Sequence, residues 1–99
     1  MNCYFDHSAT TPVDLAVIEW MNQTQSTVFG NPSSSHAIGR KGKHILESAR
    51  FQLAESLGCS PKEIIFTGSG TEANNLVLHH VASQKKKPII TSSIEHPAI

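Results

Sequence analysis

Ile64-Ile65-Phe66-Thr67-Gly68-Ser69-Gly70-Thr71-Glu72-Ala73 joins a short, continuously apolar run to a glycine-rich turn and the start of a helix. An unbroken apolar run of this length reads as a strand covered on both faces. The helix is expected from about Thr71 to Ser83, with Ser69 and Glu72 spaced as a capping box. Lys85-Lys86-Lys87 reads as a solvated turn and Pro88-Ile89-Ile90-Thr91 as a second strand. Strand, helix and strand within about 30 residues is the size of a right-handed βαβ unit. The fold class expected is therefore α/β.

Upstream, the period changes from sheet-like to helical. Ile38, Gly42, Ile45, Leu46, Ala49, Leu53 and Leu57 form the stripe of a helix over about 36–57, and Gly58 is placed to end it in a left-handed conformation. Phe51 lies off that stripe. Ser60-Pro61-Lys62-Glu63 reads as a capped turn. Residues 27–35, rich in Gly, Asn, Pro and Ser, form a loop by composition. Val13, Ala16, Val17, Trp20 and Met21 mark an earlier helix, about 12–24, with Thr11 as N-cap and Pro12 in its first position. Tyr4-Phe5 suggests a brief extended segment.

Composition narrows the function classes. The 99 residues hold one domain at most. Eight basic side chains balance eight acidic ones, which argues against a general nucleic-acid binder. Charged residues are only 16%, and 28 Ser, Thr, Asn and Gln residues take their place. No apolar stretch approaches the roughly 18 residues of a membrane span. The opening Met1-Asn2-Cys3-Tyr4-Phe5-Asp6 lacks the basic start and apolar core of a signal peptide. Cys3 and Cys59 make no disulfide scaffold, and the six histidines and two cysteines show no zinc-ligand spacing. The chain reads as soluble and cytoplasmic.

The chemistry concentrates at Thr67-Gly68-Ser69-Gly70-Thr71-Glu72. Glycines let backbone N–H groups approach an oxyanion, and a helix start offers unpaired donors and a positive dipole end. Ser69 and Thr71 add hydroxyls. The turn reads either as a phosphate or carboxylate cradle or as an ordinary, well-capped glycine turn. Three phosphate ligands differ in the residue types they require. A P-loop requires Gly-Lys-Ser/Thr, and no Lys is present here. Gly68 to Ala73 matches the dinucleotide pattern G-x-G-x-x-A, with Glu95 as a somewhat late acidic residue. Pyridoxal phosphate needs its phosphate held, its ring sandwiched, an acid for the ring nitrogen and a Lys for the Schiff base.

Four segments, in order, resemble one family. Phe5-Asp6-His7-Ser8-Ala9-Thr10-Thr11-Pro12 resembles the opening of cysteine desulfurases, pyridoxal-phosphate enzymes of the class V aminotransferase group. Phe29-Gly30-Asn31-Pro32-Ser33-Ser34, with His36 and Gly39-Arg40, resembles their next signature. Glu63 to Thr67 with Gly70-Thr71-Glu72-Ala73-Asn74-Asn75 resembles their phosphate-binding turn. Ile90-Thr91-Ser92 with Ile94-Glu95-His96-Pro97-Ala98 resembles the segment bearing their ring-stacking histidine. The order and spacing displace the dinucleotide reading. Two departures stand out: the family turn often reads Ser-Gly-Ala-Thr-Glu, and His7 stands where Asn is common.

The resemblance implies a fold-type-I architecture, with N-terminal helices followed by a βαβ unit of a mostly parallel sheet. It implies one incomplete domain: an N-terminal segment, helix and loop over 1–35, then the long helix and the start of the pyridoxal-phosphate domain over 36–99. It implies that Gly70 and Thr71 hold the cofactor phosphate, that His96 lies over the pyridine ring and helps proton transfer, and that Ala9 and Thr10 sit at the substrate mouth. Asn31 is expected to order its loop rather than touch substrate, Glu72 to cap its helix, and Asn74 and Asn75 to pack or hydrogen-bond near the helix start. The activity implied converts L-cysteine to L-alanine and an enzyme persulfide, in a homodimer that passes sulfur to an iron–sulfur scaffold or another acceptor.

Family members are several times longer, and their ring-nitrogen Asp, Schiff-base Lys, substrate Arg and persulfide Cys lie beyond the matching stretch. None of the chain's lysines sits in a matching motif, and neither Cys3 nor Cys59 matches the catalytic loop. The chain is therefore expected to be an N-terminal piece of a desulfurase, inactive by itself. The alternatives are a selenocysteine lyase or another class V aminotransferase, a standalone phosphate-binding or interaction module, and a dinucleotide-binding module.

Overall fold

The computed structural model describes residues 3–84 and 88–99. Their regular elements are helical: α1 (Leu15–Thr27), α2 (Ala37–Leu57), a short 3-10 turn (Pro61–Glu63) and α3 (Gly70–Ser83). The chain divides into two compact units, Met1–Pro61 and Lys62–Ile99.

In the first unit, α1 begins three residues later than its sequence suggests. Asp14, not Thr11, is the N-cap, its carboxylate accepting the Ala16 N–H at 2.8 Å. Asp ranks above Thr at this position, and the Thr11 hydroxyl is engaged elsewhere, donating to the His7 carbonyl at 3.2 Å. At the other end of α1 the Lys41 ammonium donates to the Thr27 carbonyl at 3.2 Å, placing a cation from α2 on the negative helix terminus. Trp20 faces Ala49, Gln52, Leu53 and Ser56 of α2 across a cavity of about 440 Å³.

Helix α2 starts behind His36, whose Nδ1 accepts the Gly39 N–H at 3.2 Å. The residues it buries are Gly39, Gly42 and Ala54. Of the expected stripe, Leu53 and Leu57 are exposed, Leu57 by 70%. Small residues win this face because the 28–36 loop lies directly on the helix backbone. A Cβ at Gly39 would stand 2.6 Å from the Ser34 carbonyl oxygen and 2.7 Å from that of Asn31. A Cβ at Gly42 would stand 2.7 Å from the Gly30 oxygen. Asn31 holds the loop's shape, its side-chain oxygen accepting the Ser33 N–H at 2.9 Å and its carbonyl the Ser34 N–H at 3.0 Å.

Gly58 ends α2 at φ +66°, the left-handed cap expected of it. A Cβ there would meet nothing within 4 Å, so a side chain costs only backbone strain. Gly58→Ala is expected to lower stability by about 1 kcal/mol. A urea titration followed by helical circular dichroism reads this directly, and an unchanged midpoint would refute it.

In the second unit, α3 is present and the strands are not. The expectation of an α/β fold with a βαβ unit, and with it the start of a fold-type-I sheet, is corrected: among the described residues there is no strand. Residues 64–67 and 88–91 carry no regular element, and Lys85-Lys86-Lys87 lies outside the described residues. Ile65 is 68% exposed and Ile90 91%, so neither run is covered as a buried strand would be. The physical reason is non-local. A strand exists through hydrogen bonds to a neighbour about 4.8 Å away, and a four-residue apolar run supplies the surface to be covered without supplying that neighbour.

Among the described residues no helix is long and apolar enough to cross a membrane, and no three or more His, Cys, Asp or Glu side chains gather as metal ligands would.

Candidate anion cradle at the start of helix α3

Ser69 is the N-cap of α3, in extended backbone at φ −165° and ψ 163°. Its hydroxyl oxygen accepts the Glu72 N–H at 3.2 Å, and its carbonyl accepts the Ala73 N–H at 3.1 Å. The Thr67 hydroxyl donates to the same carbonyl at 3.1 Å. Four N–H groups open any α-helix without a partner inside it. Here Glu72 and Ala73 are satisfied by Ser69. The N–H groups of Gly70 and Thr71, and the Thr71 hydroxyl, have no hydrogen-bond partner among the described residues. Asn75 steadies this first turn, its amide donating to the Thr71 carbonyl at 2.8 Å.

The glutamate behaves differently from its expected role. In a capping box the acidic side chain returns to the N–H of the cap residue. Here Glu72 Oε2 reaches one residue further and accepts the Gly68 N–H at 2.6 Å. The Ser69–Glu72 spacing made a local pairing legible, but not which backbone donor the carboxylate would take.

Gly70 does not depend on glycine's freedom. The one glycine with positive φ is Gly58, and a Cβ at Gly70 would meet nothing within 4 Å. The turn therefore keeps its donors whether this position holds Gly or Ala. Two unpaired N–H groups, a hydroxyl and the positive end of a 14-residue helix suit a phosphate monoester. These groups fit the phosphate of pyridoxal phosphate, and the Glu72 carboxylate, bonded to the Gly68 N–H, is an opposing charge on the same turn.

His96 lies in the same unit, exposed, in a turn where its Nδ1 accepts the Ala98 N–H at 3.1 Å and its carbonyl the Ile99 N–H at 2.9 Å. Among the described residues no hydrogen bond or ring contact joins it to Gly70 or Thr71. In the first unit, the Ala9 and Thr10 N–H groups both donate to the Asp6 carbonyl, at 3.1 and 3.2 Å. The Tyr4 hydroxyl spans the Asp6 and Thr10 carbonyls at 3.0 Å each. Thr10 lines an open cavity of about 350 Å³ with Tyr4, Thr11 and Pro12. Cys3 is exposed, Cys59 is half-buried, and both are free thiols.

Comparison with known proteins places these features in context. Residues 3–99 match the aminotransferase class-V family. The chain is 51% identical over 102 aligned residues to the cysteine desulfurase IscS of Proteus mirabilis, covering 97% of this chain and 25% of that protein. It is 46% identical over 99 residues to the putative cysteine desulfurase IscS 1 of Bacillus subtilis, covering 97% and 26%. It is 42% identical over 116 residues to human selenocysteine lyase, again covering 97% and 26%. The chain spans about a quarter of the length of these curated relatives.

Proposed function

The chain belongs to the aminotransferase class-V family, and from that premise we propose that it carries the phosphate end of a pyridoxal 5′-phosphate site in a cysteine desulfurase. The observation that carries this reading is the pair of N–H groups at Gly70 and Thr71, beside the Thr71 hydroxyl, that have no hydrogen-bond partner among the described residues. When bound, the cofactor supplies an electron sink for bond breaking in the amino-acid substrate.

The chain's own residues have separable tasks. The Gly70 and Thr71 N–H groups and the Thr71 hydroxyl hold the phosphate. Ser69 and Asn75 keep the turn in shape so that these donors point outward. His96 would be the residue that stacks on the cofactor's ring and holds a proton beside it. Because its Nδ1 accepts the Ala98 N–H, the neutral ring carries its proton on Nε2, the nitrogen left to act. Ala9 and Thr10 border the substrate mouth, where Tyr4 and Asp6 fix their backbone.

The reaction takes sulfur from L-cysteine and leaves L-alanine. The sulfur passes to an iron–sulfur scaffold or another acceptor, and the working protein is a cytoplasmic homodimer. Residues 1–99 form one incomplete domain of it. Selenocysteine lyase is the second reading, favoured by the 42% identity to the human enzyme but behind the 51% to a desulfurase.

The test uses two preparations. The 99-residue polypeptide, given pyridoxal 5′-phosphate and L-cysteine, is expected to form no alanine, because none of its lysines matches the family's Schiff-base motif. The protein isolated from its native source, in whatever length it has there, is expected to form alanine from L-cysteine. Alanine from the short polypeptide would refute its inactivity. A native protein acting on L-selenocysteine alone would replace the first reading by the second.

A further inference from the structure

Residues 4–11 close on themselves through contacts that run from one side chain to the next. The Thr11 hydroxyl donates to the His7 carbonyl at 3.2 Å and lies 3.3 Å from His7 Nδ1. Its one proton is engaged by the carbonyl, so at the ring it accepts, and His7 Nδ1 carries the proton. The ring held in this way meets Tyr4 edge to face, with centroids 4.8 Å apart and planes at 87°. Tyr4 in turn shares its hydroxyl proton between the Asp6 and Thr10 carbonyls at 3.0 Å each. The Ala9 and Thr10 N–H groups complete the turn on the Asp6 carbonyl. Resting on the reading of Ala9 and Thr10 as the substrate mouth, we propose that His7 is a positioning residue. Acting through Tyr4, it holds that mouth in the shape that admits the amino-acid substrate.

Tyr4 is exposed and makes no other aromatic contact among the described residues. The His7 ring is thus the aromatic support that keeps its hydroxyl over both carbonyls. Tyr4 and Thr10, with Thr11 and Pro12, line an open cavity of about 350 Å³, so the residues that the clasp fixes border a space a small ligand can enter. The asparagine common in the family at position 7 has no ring and cannot make the edge-to-face contact. Losing such a contact lowers the population of the closed turn by about two- to tenfold relative to the open one. A substrate that enters only the closed turn binds in proportion to its population. Loosening the clasp therefore raises KM and leaves kcat, because the chemistry proceeds from the same bound state.

The experiment uses the protein in the length its native source gives it, with L-cysteine, or L-selenocysteine where that is the substrate. His7→Asn is expected to raise KM about two- to fivefold and to leave kcat, cofactor retention and melting temperature as in the parent. Tyr4→Phe removes the hydroxyl, keeps the ring, and is expected to do the same. The double variant is expected to be no worse than the weaker single one, because both act through one clasp. Amide hydrogen exchange at Ala9 and Thr10 reads the clasp without turnover and is expected to quicken in each variant. Unchanged exchange or unchanged KM in His7→Asn would overturn the inference, as would losses that multiply in the double variant. A fall in kcat, cofactor retention or melting temperature alongside KM would reduce His7 to a support of the fold and overturn it too. Ala9→Val narrows the mouth and tests the reading beneath. A raised KM there with His7→Asn inert refutes the inference alone, whereas an unchanged KM there removes the mouth reading and the inference with it.

Discussion

Gly39→Ala is expected to destabilise the Met1–Pro61 unit by about 3 kcal/mol, the upper part of the range for overpacking. The added carbon would stand 2.6 and 2.7 Å from the Ser34 and Asn31 carbonyl oxygens and 2.7 Å from Ser34 Cβ. None of these is the far end of a flexible side chain. Relief requires lifting the 28–36 loop off α2, and that loop is also held by the Asn31 turn and by the Arg40 guanidinium donating to the Ser35 carbonyl. Ala is a better helix former than Gly by up to about 1 kcal/mol, so a net loss would isolate the steric term. Trp20, set against α2, is the built-in reporter. Urea unfolding followed by its fluorescence should shift to a markedly lower midpoint. An unchanged midpoint would mean the loop yields without cost. Gly70→Ala is the matched control, since a Cβ there meets nothing within 4 Å.

Thr71→Val is expected to weaken retention of pyridoxal 5′-phosphate by roughly ten- to a hundredfold, the effect of losing one hydrogen bond to a charged group, about 1.5–3 kcal/mol. Valine keeps the branched shape and removes the hydroxyl. The Thr71 N–H and carbonyl remain, so the Asn75 amide still has its acceptor. Helicity should therefore be unchanged while affinity falls. Equilibrium dialysis of the cofactor against the parent and variant chains measures this, with dephosphorylated pyridoxal as the comparison. Pyridoxal is expected to bind both chains equally. Equal cofactor affinity in the two chains would return the turn to an ordinary capped helix start.

Local chemistry was legible in the residues alone. The left-handed Gly58, the helix opening at Ser69, the loop built by Asn31 and the family itself all follow from patterns within a few residues or from motifs in fixed order. Each depends on contacts between near neighbours, which a linear reading contains. The later start of α1 shows where that reading weakens: Asp14 caps the helix in place of Thr11, whose hydroxyl is bonded to the His7 carbonyl.

The remaining features depended on what lies across space. Whether residues 64–67 and 88–91 form strands depends on a hydrogen-bonding neighbour, which their own apolar character does not provide. Which face of α2 is buried depended on the loop lying on it, and close backbone approach selected Gly39 and Gly42 over the larger residues of the stripe. By itself the sequence determined the family, the presence of the three helices and the caps at Gly58 and Ser69. Tertiary structure decided the strand pairing and the burial on α2, because each is a relation between atoms that the order of residues does not bring together.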